Sequence, residues 1–453
     1  MNLGARALAR HTFSRVRPAD RDGLPVAPGW LPGVGHVPAL TYDMSWVCRA
    51  GDARGPLFWL QLGPGNWVIA SIREEAFAVF RNRETSSGHL ARDMSVLVGR
   101  SVLGVDGEAH RRMRGALNAP FTPRGLTAHK AGSLMAEVIL PRVALWNGRP
   151  DIAICDETRE FAVDVIFRMM GIEPHALATW RKAFETYSLA LFPIPWDFPG
   201  SPYRRGSGAK RWIDGRLRAI ADGERGQDPD RSLVSAMVNG RDEEGRGLDD
   251  EELIDNLRIL VFAGHETTAS TMAWAVLYLA NDPARWKRLV DEALAADAPP
   301  TTPDALAKFP FAEGVFREAL RLHPPVSFDS RLTVQPWSLF GREFPKGQVV
   351  GVALHELSRD AERYPNASQF VPERWLDRDK RPGPIETAQF GGGPHFCLGY
   401  HVAWLEAVLF LVAVAREFGA RSMRPRIADG VFPKAVFMPL QRPPASARVQ
   451  FVR

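Results

Sequence analysis

Hydrophobic and polar positions change texture three times along the chain. Residues 24–40 (LPVAPGWLPGVGHVPAL) hold too many prolines and glycines for a helix or central strand, which predicts an irregular, packed lead-in. PLFWLQL (56–62) and NWVIASI (66–72) are β-rich runs joined by Gly63-Pro64-Gly65, a hairpin pattern, and residues 74–81 turn helical. From about 105 to 300 the spacing is almost wholly helical. The outstanding element begins at LDDEEL (248–253) and runs to Asp282, where Pro283 stops it. Its acidic first turn suits the positive end of the helix dipole. About 32 residues at ~1.5 Å each would cross roughly 48 Å, and apolar residues on most faces predict a central helix.

Beyond about residue 325 the pattern shortens. RLTVQPWSLFG, REFPKGQVVGVAL and the later KAVFMPL read as short strands, with a Pro-rich, weakly periodic coil (359–394) between them. No linker or repeat interrupts this order. The pattern therefore predicts one mainly α domain over 1–453 with a small β region drawn from both ends. Its parts are a Pro-rich lead-in and first helix (1–55), a hairpin and loop (56–104), a helical core (105–325), and β segments with a glycine-rich loop and closing helix (326–453).

Composition narrows the class. With 453 residues, 45% hydrophobic, 24% charged, 39 Gly and 36 Pro, disordered, collagen-like and disulfide-scaffold classes are excluded. A net charge of +5 with scattered basic residues gives no nucleic-acid footprint, though it suits a modestly basic docking face for an acidic partner protein. Cys48, Cys155 and Cys397 make an odd set with no C-x-x-C spacing, which points to a reducing compartment. The first ten residues have too short an apolar run for a signal peptide. The apolar stretch Ala407–Ala415 lies between Glu406 and Arg416, well short of the ~20 residues a span needs. No membrane anchor and a cytoplasmic location are expected.

Three patterns carry chemistry. Phe390-Gly391-Gly392-Gly393-Pro394-His395-Phe396-Cys397-Leu398-Gly399 precedes a helical run. A lone cysteine ahead of a helix is more often a buried, inert thiol. Here the glycines let the backbone bend and a flat group approach, and a helix N-terminus favours the thiolate that an iron ligand requires. Neither a G-x-G-x-x-G nor a P-loop pattern occurs, so no NAD, FAD or ATP site is evident. Ala263-Gly264-His265-Glu266-Thr267-Thr268 sets an acid and an alcohol beside a glycine within an apolar helix. A local opening there, with Thr267 bonding back to a carbonyl, could hold water and relay protons. The simpler reading, a helix face turned to solvent, leaves the flanking apolar residues unexplained. Glu318 and Arg321 form an E-x-x-R on a helix ending at His323-Pro324-Pro325, with Arg374 placed later so that a buried Glu318 would be shared between two arginines. Alone this is weak, since Glu108/Arg111, Glu243/Arg246 and Glu356/Arg359 repeat the spacing and such pairs are usually surface decoration.

Together these residues resemble the haem-thiolate monooxygenases, the cytochrome P450 superfamily. The F-x-x-G-x-[RH]-x-C-x-G loop corresponds to Phe390–Gly399, the A-G-x-[DE]-T-T stretch to Ala263–Thr268, and the E-x-x-R and P-E-R-W elements to Glu318, Arg321 and Arg374. The resemblance covers nearly the whole chain and implies the P450 fold, a helix-rich triangular prism around a buried haem b (iron protoporphyrin IX). It makes Cys397 the axial thiolate, with Phe390, Gly391, Gly399 and Ala263 against the haem. It assigns Glu318, Arg321 and Arg374 to a structural cluster. His110 and Arg114 in GEAHRRMR, Arg331 in FDSRLTV, and His395 would meet the propionates. His395 stands where the family commonly has arginine, which makes its positive charge depend on pH. Arg111 and Arg112 read as an exposed basic face, and His265 as neighbour packing.

The resemblance implies hydroxylation: one atom of O2 enters a C–H bond and the other leaves as water. Glu266 and Thr267 would deliver the two protons, Thr267 steadying oxygen and water and Glu266 connecting to solvent. Electrons would come from a ferredoxin or flavodoxin with its reductase. The enzyme is expected to be a monomer acting on a lipophilic small molecule, terpenoid, steroid or fatty-acid-like. YSLALFPIPWDFPGSPY (187–203) falls where the family places its substrate lid, and the lining by analogy is Leu191, Phe192, Phe262, Ala263, Val326, Phe328 and Phe432. Rival readings are a peroxygenase or rearrangement catalyst that does not use O2, disfavoured by the intact Glu266-Thr267 pair, and a non-catalytic haem sensor, which would need an output domain.

Overall fold

A computed structural model describes residues 19–81, 85–89, 99–188, 198–377, 388–437 and 440–453. The chain divides into two units. One takes the residues up to Ser87, Arg317–Cys397 and Pro433–Pro444; the other takes Gly88–Phe316, Leu398–Phe432 and Ala445–Arg453.

In the first unit, helix α1 (Val37–Asp52) carries Pro38 in its opening turn. A missing N–H costs nothing there, so the lead-in expected to stay irregular to residue 40 becomes helical earlier. The hairpin forms as its pattern predicts: β1 (Phe58–Gln61) pairs antiparallel with β2 (Trp67–Ser71), Phe58 opposite Ala70. With β3 (Thr85–Ser86), β4 (Asp329–Thr333) and β7 (Val349–Val352) they make a five-stranded sheet, order β1-β2-β7-β4-β3, in which only β2 and β7 run parallel. Between β4 and β7, β5 (Trp337–Leu339) and β6 (Arg342–Phe344) form a separate hairpin. Trp59, Ile69, Val350 and Val352 join one apolar cluster with Phe77 and Phe80. Phe58, Leu60 and Ala70 join another with Leu40, Met44 and Val47 from α1. Strands buried on both faces read as continuous apolar runs rather than alternations. The expected strand in KAVFMPL is not formed among the described residues: Val436 makes one isolated bridge to Arg442. Prolines in and around that run remove the donors a ladder needs.

The second unit is helical. It holds α2 (Gly107–Asn118), α3 (Ala131–Ala144), α4 (Ile154–Met169), α5 (Leu177–Ser188), α6 (Pro202–Glu224), α7 (Asp250–Ala280) and α8 (Pro283–Ala295). Helix α9 (Pro310–Leu322) contains the division between the units, and α10 (Tyr400–Gly419) follows Cys397. Strands β8 (Arg424–Ile427) and β9 (Val449–Val452) pair antiparallel; their short, charge-broken sequences gave no signal.

α7 is the predicted long helix. Asp249 and Glu252 form a reciprocal capping box at its start, and Pro283 opens α8 just past its end. Trp274, Ala275 and Leu277 are fully buried. The expected opening at Gly264 is not an interruption, since helix continues through Asp250–Ala280. The Thr267 hydroxyl instead donates to the Ala263 carbonyl at 2.8 Å inside an intact helix. By length and composition Gly393–Gly419 is apolar enough to cross a membrane, a longer run than the nine residues singled out in the sequence. Residues Trp404–Ala415 are buried inside the protein, as in a core helix.

Candidate functional site

Cys397 sits in a tight loop of the first unit, two residues before the N-cap of α10. Its N–H donates to the Phe390 carbonyl at 2.9 Å, closing the loop. Gly391 (φ +75°) and Gly393 (φ +61°) take the left-handed backbone this closure needs. A Cβ on Gly393 would lie 2.2 Å from the Phe80 carbonyl, so the glycine also serves the fit of the loop onto its own unit. Cys397, Phe396, Leu398 and Gly399 are half-buried, whereas Cys48 and Cys155 are buried. Burial pushes the Cys48 thiol well up, leaving it inert.

Glu318 is fully buried and accepts from five donors. Arg321 gives Nε to Oε2 at 2.9 Å and Nη2 to Oε1 at 2.8 Å, and Arg374 Nε reaches Oε1 at 3.1 Å. Trp375 Nε1 and the Val371 N–H complete the set, each at 2.9 Å. Arg321 spends its remaining donors on the carbonyls of Ser358, Ala367 and Gln369 and lies over the Tyr364 ring at 4.9 Å. The E-x-x-R repeats elsewhere behave differently. Glu108–Arg111 is an exposed ion pair, Arg246 pairs with Asp242, Glu244 and Glu108, and Glu356 binds Arg49.

In α7 the turns on either side of 262–267 are buried, while Phe262, Gly264, His265, Glu266 and Thr267 are half-buried and Ala263 is exposed. Gly264 lets Ile166 of α4 approach the helix; an added Cβ would meet its Cδ1 at 2.6 Å. Glu266 turns to α4. Arg159 donates Nε to its Oε1 at 2.9 Å and also Nη2, and His265 Nε2 lies 3.4 Å from the same oxygen. Partial burial pushes the Glu266 carboxyl up, but His265 and Arg159 outweigh it and hold it at about 2. His265 is thus more than neighbour packing, because its Nδ1–H also donates to the Val261 carbonyl, 2.7 Å away. Arg159 carried no motif signal in the sequence.

On α2, His110 is buried and Arg114, four residues on, is half-buried. Arg111 is exposed as expected. Arg112 is not: it is half-buried, bonded to the Gly247 carbonyl and the Glu252 carboxylate, so it fastens α2 to the start of α7. Arg331 is buried in β4, held by Asp329 at 3.2 Å and lying over Phe80 at 4.7 Å. His395 closes the short turn Gly393–His395. Cys397, Arg331 and His395 belong to the first unit; His110, Arg114, Glu266 and Thr267 belong to the second. Of the substrate-lining positions, Leu191 and Phe192 lie outside the described residues. Phe432 packs on Trp274 and Tyr278 of α7, and Val326 and Phe328 pack on the sheet clusters.

The residues fit a haem held through sulfur. A half-buried thiol at the mouth of a 20-residue helix is flanked by the half-buried apolar side chains of Phe390, Phe396 and Leu398, the setting that a thiolate ligand to iron requires. Among the described residues no cluster of three His, Cys, Asp or Glu side chains could hold a bare ion.

Comparison with known proteins agrees. A family model described as Cytochrome P450 matches residues 25–429. Cytochrome P450 BJ-4 of Bradyrhizobium diazoefficiens is 37% identical over 95% of this chain and 97% of its own length. Cyclooctat-9-en-7-ol 5-monooxygenase of Streptomyces melanosporofaciens is 29% identical over 87% of this chain and 89% of its own. The solved structure of retinoic acid-bound cyanobacterial CYP120A1 superposes with a TM-score of 0.80 at 26% identity, covering 95% of this chain and all of that one.

Proposed function

The chain belongs to the cytochrome P450 family, and from that membership we propose that it is a haem-thiolate monooxygenase hydroxylating a lipophilic small molecule. It has the P450 fold and is an oxidoreductase of the monooxygenase class. The observation that carries the finer reading is the Cys397 loop, which offers a half-buried sulfur where the other two cysteines are buried.

Cys397 would hold the iron of haem b, with Phe390, Gly391, Gly399 and Ala263 against the ring. When bound, the haem activates O2, and a thiolate ligand favours O–O cleavage by donating electron density. His110, Arg114, Arg331 and His395 would meet the propionates. Buried Glu318, with Arg321 and Arg374, would fix the loops ahead of Cys397 and take no part in the chemistry. Glu266 would take protons from solvent at its carboxylate, and Thr267 would pass them on through its hydroxyl. Residues 1–453 would act as one domain, in a cytoplasmic monomer served by a ferredoxin or flavodoxin and its reductase.

Support for a terpenoid, steroid or fatty-acid-like substrate comes from relatives named for cyclooctat-9-en-7-ol and retinoic acid. The half-buried Phe262 and exposed Ala263 on α7 offer apolar surface that suits an apolar ligand.

Replacing Thr267 by alanine tests the proton relay. The variant is expected to keep its haem and carbon-monoxide spectrum while diverting at least about nine-tenths of its reducing equivalents to hydrogen peroxide, a roughly tenfold-or-more loss of coupling in line with removing a proton-transfer group. Product formed per electron pair is the measurement, and an unchanged ratio would contradict the role.

A further inference from the structure

We propose that Gln441 is a positioning residue for ligand selection: by holding Ser327 and the Pro325 carbonyl it fixes where Val326 and Phe328 stand, and so how large an apolar group the enzyme accepts. The inference rests on the proposed reading of Val326 and Phe328 as ligand-lining side chains.

Geometry carries the argument. Ser327 is buried between the half-buried Val326 and Phe328, so whatever holds the serine also sets its two apolar neighbours. Gln441, fully buried, comes to it from a distant part of the same unit. Its main-chain N–H donates to the Pro325 carbonyl at 2.8 Å. Its side-chain Oε1 accepts from Ser327 Oγ at 3.2 Å, and Nε2 donates to His323 Nδ1 at 3.0 Å. One residue thus grips positions 323, 325 and 327 together. The Ser327 hydroxyl has a single proton, which it divides between Gln441 and the Pro324 carbonyl at 3.1 Å.

Gln441 is itself firmly seated. Val436 and Arg442 exchange two backbone hydrogen bonds of 3.0 Å, which fixes the chain that carries it. Phe437 stands edge-on to the His355 ring at 5.1 Å and shares an apolar cluster with Phe328. The His355 N–H in turn donates to the Ser327 carbonyl at 3.1 Å. Phe328 has no room to yield towards β7, since a Cβ on Gly351 would meet its Cζ at 2.3 Å. The chemistry of residue 441 suits the place. Burial above all, with Arg359 adding to it, pushes His323 and His355 well below the usual histidine range. His355 Nδ1 lies 3.2 Å from Oε1 of Gln441 but takes its hydrogen bond from Arg359 Nη1 at 2.9 Å. Between an uncharged imidazole and a hydroxyl, an amide donates and accepts without bringing in a buried charge.

The test uses the holoenzyme and probes that bind the iron through one nitrogen: imidazole, N-butylimidazole and N-dodecylimidazole. Each is titrated by its Soret shift against wild type, Gln441→Met, Ser327→Ala, the Gln441→Met/Ser327→Ala double variant and Val326→Trp. Wild type is expected to bind more tightly as the chain lengthens. Gln441→Met should keep the imidazole affinity and lose at least about fivefold in dodecyl affinity, the scale of one buried hydrogen bond. Ser327→Ala should reproduce part of that loss, and the double variant should lose no more than Gln441→Met, as coupled residues do. Hydrogen–deuterium exchange should quicken over 323–328 in Gln441→Met and stay unchanged in α10. If Val326→Trp alters dodecyl affinity while Gln441→Met matches wild type, if all probes weaken alike, or if the two losses add, this proposal is overturned and the lining reading stands. Should Gln441→Met not fold, Ser327→Ala decides by the same two readouts. If Val326→Trp matches wild type, or wild type gains nothing from a longer chain, the lining reading falls and this proposal with it. No Soret shift with any probe would instead sink the haem reading itself.

Discussion

Two turns into α10, Glu406 is buried among Trp404, Leu405, Ala407 and Val408, with no partner for its Oε1 among the described residues. Burial alone pushes its carboxyl up to about 8. Because this lies above the ordinary 4.5, the folded protein keeps a proton that the unfolded chain has lost anywhere between those values. Stability should then fall as pH rises from about 4.5 to about 8, at up to ~1.4 kcal/mol per pH unit. Thermal melts at pH 5 and pH 8.5 check this: Glu406→Gln should remove most of the wild-type loss, and an equal slope in both proteins would contradict it. In the sequence Glu406 served only as a charged boundary to an apolar run, because a carboxylate reads as a solvent-facing residue. Arg112 was misread by the same logic. Its partner Glu252 lies 140 positions away, beyond the reach of any local pattern.

At the scale of elements, the clearest case is α9 with the short turn Pro372–Trp375. The i,i+3 spacing of Glu318 and Arg321 was legible, as was the use of Arg374 as a second guanidinium. So was the burial of Glu318, whereas the Trp375 indole and the Val371 N–H that complete the five-donor cage were not. A buried carboxylate so placed offsets two guanidiniums, one of them wholly out of solvent. Glu318→Gln leaves Arg321 without its counter-charge and is expected to cost about 3–5 kcal/mol. Denaturant unfolding and the haem content of the purified protein measure the result. A loss under ~1 kcal/mol would match an ordinary surface pair and contradict the cluster's role. Helix limits were read well where caps wrote them, as at Asp249 and Pro283. They were read poorly where proline sits inside a first turn, as in α1.

For the whole molecule, what the sequence disclosed followed the strength of local signals. Long capped helices, the glycine-closed hairpin and the cysteine loop have short-range causes and were all visible. β8 and β9 join segments more than 20 residues apart, and each is stabilised by its partner rather than by its own residues. Arg159 carried no signal for a related reason: it pairs with a residue 107 positions later. The central claim is simpler than any of these, that the sulfur of Cys397 binds the iron of the haem. The most direct measurement is the carbon-monoxide difference spectrum of the reduced protein, taken for wild type, Cys397→Ser, Cys48→Ser and Cys155→Ser. The account predicts the band of thiolate-ligated haem in wild type and in the two buried-cysteine variants, and its loss in Cys397→Ser. An unaltered band in Cys397→Ser would contradict it.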